Sequence, residues 1–140
     1  MEDKIFKDCM YFTATRLYRA ISRMAEEAFV STGLSPTYAF LMMMVYKDPG
    51  ISQRDLAEQL HITPSTLTRL IDKLENKALV ERQIDGKKTN VKLTPEGTDM
   101  NQTIMECWNK LYERYCEILG ENEAKFLTEQ LYATSLKLEQ

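Results

Sequence analysis

The 140-residue sequence is short of the residues that mark several protein classes. It has one histidine, His61, and three cysteines, Cys9, Cys107 and Cys116, none close to another. That is too few ligands, at no useful spacing, for a zinc site, and an odd, scattered set for a disulfide framework. The cysteines are read as reduced, partly buried thiols. Four prolines and five glycines beside 44% hydrophobic residues exclude a disordered chain and fit a folded, helix-rich one. The longest apolar run, "AFLMMMVY" at Ala39–Tyr46, has eight residues, far below the roughly 20 of a membrane-spanning helix. The opening "MEDKIFKD" lacks the basic start and apolar stretch of a secretion signal, so a cytoplasmic protein without membrane contact is expected. No glycine-rich phosphate loop and no nucleophile–base pair is present, so the expectation is no enzyme, no cofactor and no metal.

What is there is a segregated charge. The net charge is −3, which alone disfavours a polyanionic partner. From Thr63 to Leu93, however, seven cations (Arg69, Lys73, Lys77, Arg82, Lys87, Lys88, Lys92) face four acids (Asp72, Glu75, Glu81, Asp85), while the remainder holds 11 cations and 17 acids. The molecule is an acidic body with one anion-facing segment.

The length allows one domain, or one domain with appended helices. Ile5, Cys9, Phe12, Leu17, Ala20, Ile21, Met24 and Ala28 recur at three- and four-residue steps and predict one long helix to about Val30. Gly33 ends it, and Ser35-Pro36 starts a second helix running to Tyr46. Pro49 and Gly50 make a turn, and Ser52 caps a short helix, Gln53 to Leu60. His61 occupies a tight turn, where histidine is among the residues that tolerate positive φ. Thr63 and Pro64 are then N-cap and first residue of a helix whose Leu67, Leu70, Ile71 and Leu74 form one apolar stripe. Val80, Ile84, Val91 and Leu93 alternate as strands, and Asp85-Gly86 signals a hairpin pairing Ile84 with Lys87 and Val80 with Val91. Thr94-Pro95 opens a long helix marked by Met100, Ile104, Cys107 and Leu111, and Gly120 separates it from a final helix carrying Phe126, Leu127 and Leu131.

Helix, three-residue turn, helix and basic two-stranded ribbon make a winged helix-turn-helix, so the expected fold class is mainly α with a β-hairpin wing. Opposite the apolar stripe of the second helix lie Ser65, Arg69, Asp72 and Asn76, flanked by Thr66, Thr68 and Lys73. Short hydroxyls let a helix sit deep in a DNA major groove while a long cation reaches base edges. Free N–H groups at its start suit phosphates. The expected DNA-binding residues are Ser52, Gln53, Arg54, Thr63, Ser65, Thr66, Thr68, Arg69, Lys73, Lys87 and Lys88. Arg69 is the candidate for a bidentate contact with guanine.

The stretch "ISQRDLAEQLHITPSTLTRLIDKLENKALVERQ", followed by "VKLTPEG", resembles the MarR family of bacterial transcriptional regulators, and the likeness extends over nearly the whole chain. It implies a homodimer held by helices in residues 1–33 and 98–140, with residues 34–97 as the DNA-binding domain. It further implies a repressor of a palindromic operator, released by a small apolar or aromatic ligand or by oxidation. Family members carry a longer wing with an Asp-Arg pair near its tip. Here "QIDGKKTN" has no arginine, leaving Lys87 or Lys88, which lack the planar fork. Tyr38 and Met42 are the candidates for lining a ligand pocket, and Cys9 for a redox sensor, although the cysteine of the peroxide-sensing branch aligns with Tyr11, about 200° around the helix from Cys9. A winged helix that binds protein instead of DNA is the alternative from another class.

Overall fold

The computed structural model describes residues 2–139. Its elements are α1 (Glu2–Asp8), α2 (Met10–Ala28), α3 (Pro36–Lys47), β1 (Ile51–Ser52), α4 (Gln53–Leu60), α5 (Pro64–Asn76), β2 (Val80–Asp85), β3 (Lys88–Leu93), α6 (Pro95–Leu119) and α7 (Glu121–Leu138). The strands form an antiparallel sheet in the order β1-β3-β2.

The expected single N-terminal helix is instead two. Cys9 adopts extended backbone angles (φ −91°, ψ 117°) between α1 and α2. The Thr13 hydroxyl reaches back to the carbonyls of Phe6 and Lys7 at 3.5 and 3.4 Å, and the ring of Phe6 meets Phe12 edge-on. The carbonyls freed by the break thus gain a side-chain partner. A 3₁₀ turn, Val30–Thr32, follows α2, and Gly33 closes it in the left-handed region.

The helix starts expected from the sequence are present. The hydroxyls of Ser52, Thr63 and Thr94 accept hydrogen bonds from the backbone N–H of Asp55, Thr66 and Gly97, and Pro64 and Pro95 open α5 and α6. His61 turns the chain at φ 55°, ψ 48°. Leu56 and Ala57 of α4, and Leu67, Ile71 and Leu74 of α5, are buried with Leu41, Met42 and Val45 of α3 and with Ile104, Cys107 and Leu111 of α6 in one core.

The wing differs from its expected register. Asp85 pairs with Lys88, Arg82 with Val91 and Val80 with Leu93, so the two turn residues are Gly86 and Lys87. Gly86 alone among them has positive φ, 61°, the pattern of a turn with glycine first, whereas Asp85-Gly86 would need positive φ at both positions. The slip is two residues, so the strand faces survive it. Val80 and Val91 are both buried, as expected, and Ile84 at the far end of the same face is 83% exposed. Strand β1, too short to show a period of its own, pairs Ile51 with Val91.

Gly97 couples the wing to α6. The Leu79 carbonyl accepts the Thr94 N–H at 3.1 Å, and a Cβ at Gly97 would collide with that carbonyl oxygen and lie 3.1 Å from its carbon. Alanine in place of glycine within a helix ordinarily gains up to about 1 kcal/mol. Here backbone is the obstacle, so Gly97→Ala is expected to lose about 2 kcal/mol through overpacking. Urea unfolding of the two proteins measures the difference.

Candidate nucleic-acid interface

Helix α5 is held by its rear face and bare on the other. Leu67, Ile71 and Leu74 are fully buried, with Leu70 half-buried beside them. The outward residues Ser65, Thr68, Arg69, Asp72, Lys73 and Asn76 are exposed. Arg69, Lys73, Lys87 and Lys88 have no ion pair within 4.0 Å among the described residues. Their charge is therefore available to an external anion.

The hydroxyls at the start of α5 are less free than the sequence suggests. Thr63 Oγ1 accepts the Thr66 N–H at 3.3 Å and shares hydrogen bonds with the hydroxyls of Ser65 and Thr66 at 3.2 and 2.9 Å. Thr68 donates to the Pro64 carbonyl at 2.9 Å. Short polar side chains on a helix are often drawn to nearby backbone in this way. Each hydroxyl still keeps acceptor capacity.

The sequence candidates outside α5 fall into two groups. Ser52, Gln53, Arg54, Lys87 and Lys88 all border one concave groove of about 640 Å³ between the start of α4, Pro64 and the wing tip, which they share with the carboxylates of Asp55 and Glu58. Ser52 serves as the cap of α4, and Arg54 forms an exposed pair with Glu58 at 3.4 Å. Gln53 is committed to the scaffold, since its Oε1 accepts from Arg82 Nε at 2.7 Å.

Arg82 is the residue that sequence reasoning counted only as one more cation. Its guanidinium also donates from Nη1 to Glu75 Oε1 at 3.2 Å and from Nη2 to the Thr68 carbonyl at 3.1 Å, and Nη2 lies 2.7 Å from Asp72 Oδ1. With 20% of its side chain exposed, Arg82 ties the wing to α4 and α5. The available signal was strand parity. Arg82 lies two residues from Val80 on the inward face, and Asp72 and Glu75 stand three apart on the neighbouring helix.

The ligand and redox candidates are spread through the body. Met42 is a fully buried core residue, and Tyr38 packs half-buried against that core. Trp108 stacks on Tyr112 at 5.9 Å, and Tyr115 meets Tyr112 edge-on. The Tyr112 phenol is raised above its ordinary pKa first by a hydrogen bond with Cys116 and then by the negative charge of the Cys116 thiolate. Burial raises Tyr115. Cys107 is buried and hydrogen-bonded to Ser31 at 3.1 Å. Cys9 sits at the break between α1 and α2 and has no side-chain hydrogen bond among the described residues. No cluster of three or more His, Cys, Asp or Glu suited to a metal occurs among the described residues.

Comparison with known proteins places this geometry. Residues 34–87 match the model of the MarR family. The chain is 25% identical over 124 residues to the HTH-type transcriptional repressor MdtR of Bacillus subtilis, covering 86% of this chain and 79% of that one. A 56-residue segment is 38% identical to a riboflavin kinase of Thermococcus kodakarensis; it takes in 40% of this chain but only 26% of the kinase, so that likeness concerns the shared segment alone. In structure, the chain is similar to the transcriptional repressor CouR, solved bound to a 23-mer DNA duplex and bound to p-coumaroyl-CoA. Both superpose with TM-score 0.86 at 17% identity, covering 94% of this chain and 95% and 94% of those. At that identity the likeness establishes the winged-helix fold.

Arg69→Ala is expected to cost roughly 1–3 kcal/mol on a duplex enriched by the protein from a random pool, and much less on unselected duplex. Fluorescence anisotropy on both duplexes reads the difference, and equal losses would mean that Arg69 reads no base.

Proposed function

The chain belongs to the MarR family of transcriptional regulators, and from that premise we propose that it is a homodimeric, sequence-specific repressor of a palindromic operator, relieved by a small ligand. The observation that carries the DNA-binding part is α5 itself. Its three aliphatic anchors are fully buried, while Arg69 and Lys73 on the opposite side have no ion-pair partner among the described residues. Among the described residues no helix is long and apolar enough to cross a membrane, and a cytoplasmic location fits the nature of the proposed partner. The groove beside Arg54, Lys87 and Lys88 suits the backbone flanking the major groove. The arginine-free wing supplies phosphate contacts from lysine instead of a forked reading of the minor groove.

Dimerisation through residues 1–33 and 98–140 has an independent support in surface area. The protomer exposes 10320 Å², where a compact monomer of 16.3 kDa would expose about 7,500 Å². Large apolar residues are exposed on the helices outside the winged helix. Ile5, Phe6, Met10, Tyr11 and Tyr18 are exposed on α1 and α2, and Ile118, Phe126, Leu131, Tyr132 and Leu138 on α6 and α7. Soluble monomers avoid patches of this extent, and an obligate dimer interface absorbs them. A twofold axis then sets two copies of α5 roughly 34 Å apart, one turn of DNA.

Release by a small apolar or aromatic ligand rests on the half-buried aromatics Tyr38 on α3 and Trp108 and Tyr115 on α6, all packed on one core. Local adaptability there comes from Met43 and Met44, which are partly buried against the same core.

Two measurements check this reading. Six phosphate contacts give a log–log dependence of affinity on salt with slope near −5, whereas a protein-binding winged helix gives no such duplex binding. Sedimentation of the wild type should return twice 16.3 kDa, and Phe126→Asp with Leu131→Asp should return the single mass and weaken operator binding. A monomeric wild type would end the dimer proposal.

A further inference from the structure

Arg82 does something that its position inside the wing base conceals. Asp72 is a carboxylate on the outer side of α5, three residues from Arg69 and four from Asn76. At that spacing it is a helical neighbour of Arg69 and a natural ion-pair partner for it. It is also a negative charge on the surface that a phosphate backbone must approach. In the structure Asp72 makes its ion pair with Arg82, at 2.7 Å, and none with Arg69. The same guanidinium holds Gln53 at the start of α4, Glu75 on α5 and the carbonyl of Thr68.

We propose that Arg82 is a positioning residue for DNA recognition, which keeps Asp72 occupied and so leaves Arg69 free to read the groove. The planar fork is what allows this, since one guanidinium serves two carboxylates, a carbonyl and an amide oxygen at once. Arg82 itself is largely covered, with 20% of its side chain exposed, and touches no DNA in this scheme. Removing it does two things. The wing and α4 lose their common tie to α5, and Asp72 turns to the guanidinium of Arg69. This inference rests on the DNA-binding reading above.

The experiment uses the full-length protein and the duplex that the wild type enriches from a random-sequence pool, with affinity measured across a salt series. Arg82→Ala is expected to weaken binding by about ten- to a hundredfold with the salt slope unchanged, because no phosphate contact is lost. Adding Asp72→Asn to that variant should recover the share of the loss that Asp72 causes, so that the double variant binds more tightly than Arg82→Ala, and Asp72→Asn alone should bind at least as tightly as wild type. Where the alanine variant fails to fold by circular dichroism, Arg82→Gln takes its place with the same expectations, since an amide can still engage Gln53 and Thr68. A slope reduced by about one unit would make Arg82 a phosphate contact and overturn the proposal, as would a double variant no better than the single one. Undiminished binding by Arg82→Ala, with a wild type that binds, overturns this inference alone. A wild type that enriches no duplex overturns the DNA-binding reading and this inference with it.

Discussion

Everything about this surface depends on the rotation of one helix about its own axis. Burying Leu67, Ile71 and Leu74 completely is worth about 1.5–3 kcal/mol for each side chain, and those three anchors leave α5 a single orientation. A roll of one residue, 100°, would lift an anchor into water and press a polar neighbour into the core. The start of the helix is pinned as firmly, by His61 in the left-handed region and by the Thr63 cap with Pro64 behind it. Given that constraint, the polar residues are distributed by geometry. Thr68, Asp72 and Glu75 fall on the flank that meets Arg82, while Arg69 and Lys73 are left without a partner among the described residues.

The rest of the molecule bears on a separate problem, which in the proposed dimer is how to hold two such helices at a set distance. A winged helix needs neither the helices before it nor the pair after it. Those helices share the core only in part. Ala25 and Phe29 near the end of α2, and Ile104, Cys107 and Leu111 along α6, anchor them to the winged helix, and Arg114 of α6 pairs with Glu27 of α2. The apolar residues farther out on α1 and α7, among them Ile5, Phe6, Phe126 and Leu131, lie exposed.

Local signals made most of this legible before any coordinates. Ser52, Thr63 and Thr94 are caps followed by helix, prolines at first helical positions admit little ambiguity, and the α5 stripe is a run at i, i+3, i+4 and i+7. What escaped has a common cause: it depends on contacts between residues remote in sequence, or on a choice between near-equal local options. The apolar pattern runs through Cys9 without interruption, so the break after α1 is set by Thr13 reaching back and by Phe6 meeting Phe12. Strand β1 is two residues whose identity as strand lies in pairing with Val91. The turn could use Gly86 first or second, and only backbone angles decide. Of the candidate site residues, Arg69, Lys73, Lys87 and Lys88 are as exposed as expected, whereas Gln53 is held by Arg82, 29 positions away. No motif encodes that contact, although strand parity pointed toward it.

The pleat of the wing carries a consequence for how its length can vary. Beyond the Arg82–Val91 pair the ribbon bears no core residue, so additional residues at its tip leave the base undisturbed. One extra residue in each strand would nevertheless turn the tip lysines to the opposite side of the ribbon, because successive side chains alternate. Two extra residues per strand would restore their side and carry them roughly 7 Å farther out. Reach and aim of the tip are therefore set by a parity, and a wing as short as this one trades reach for a direction that it already has.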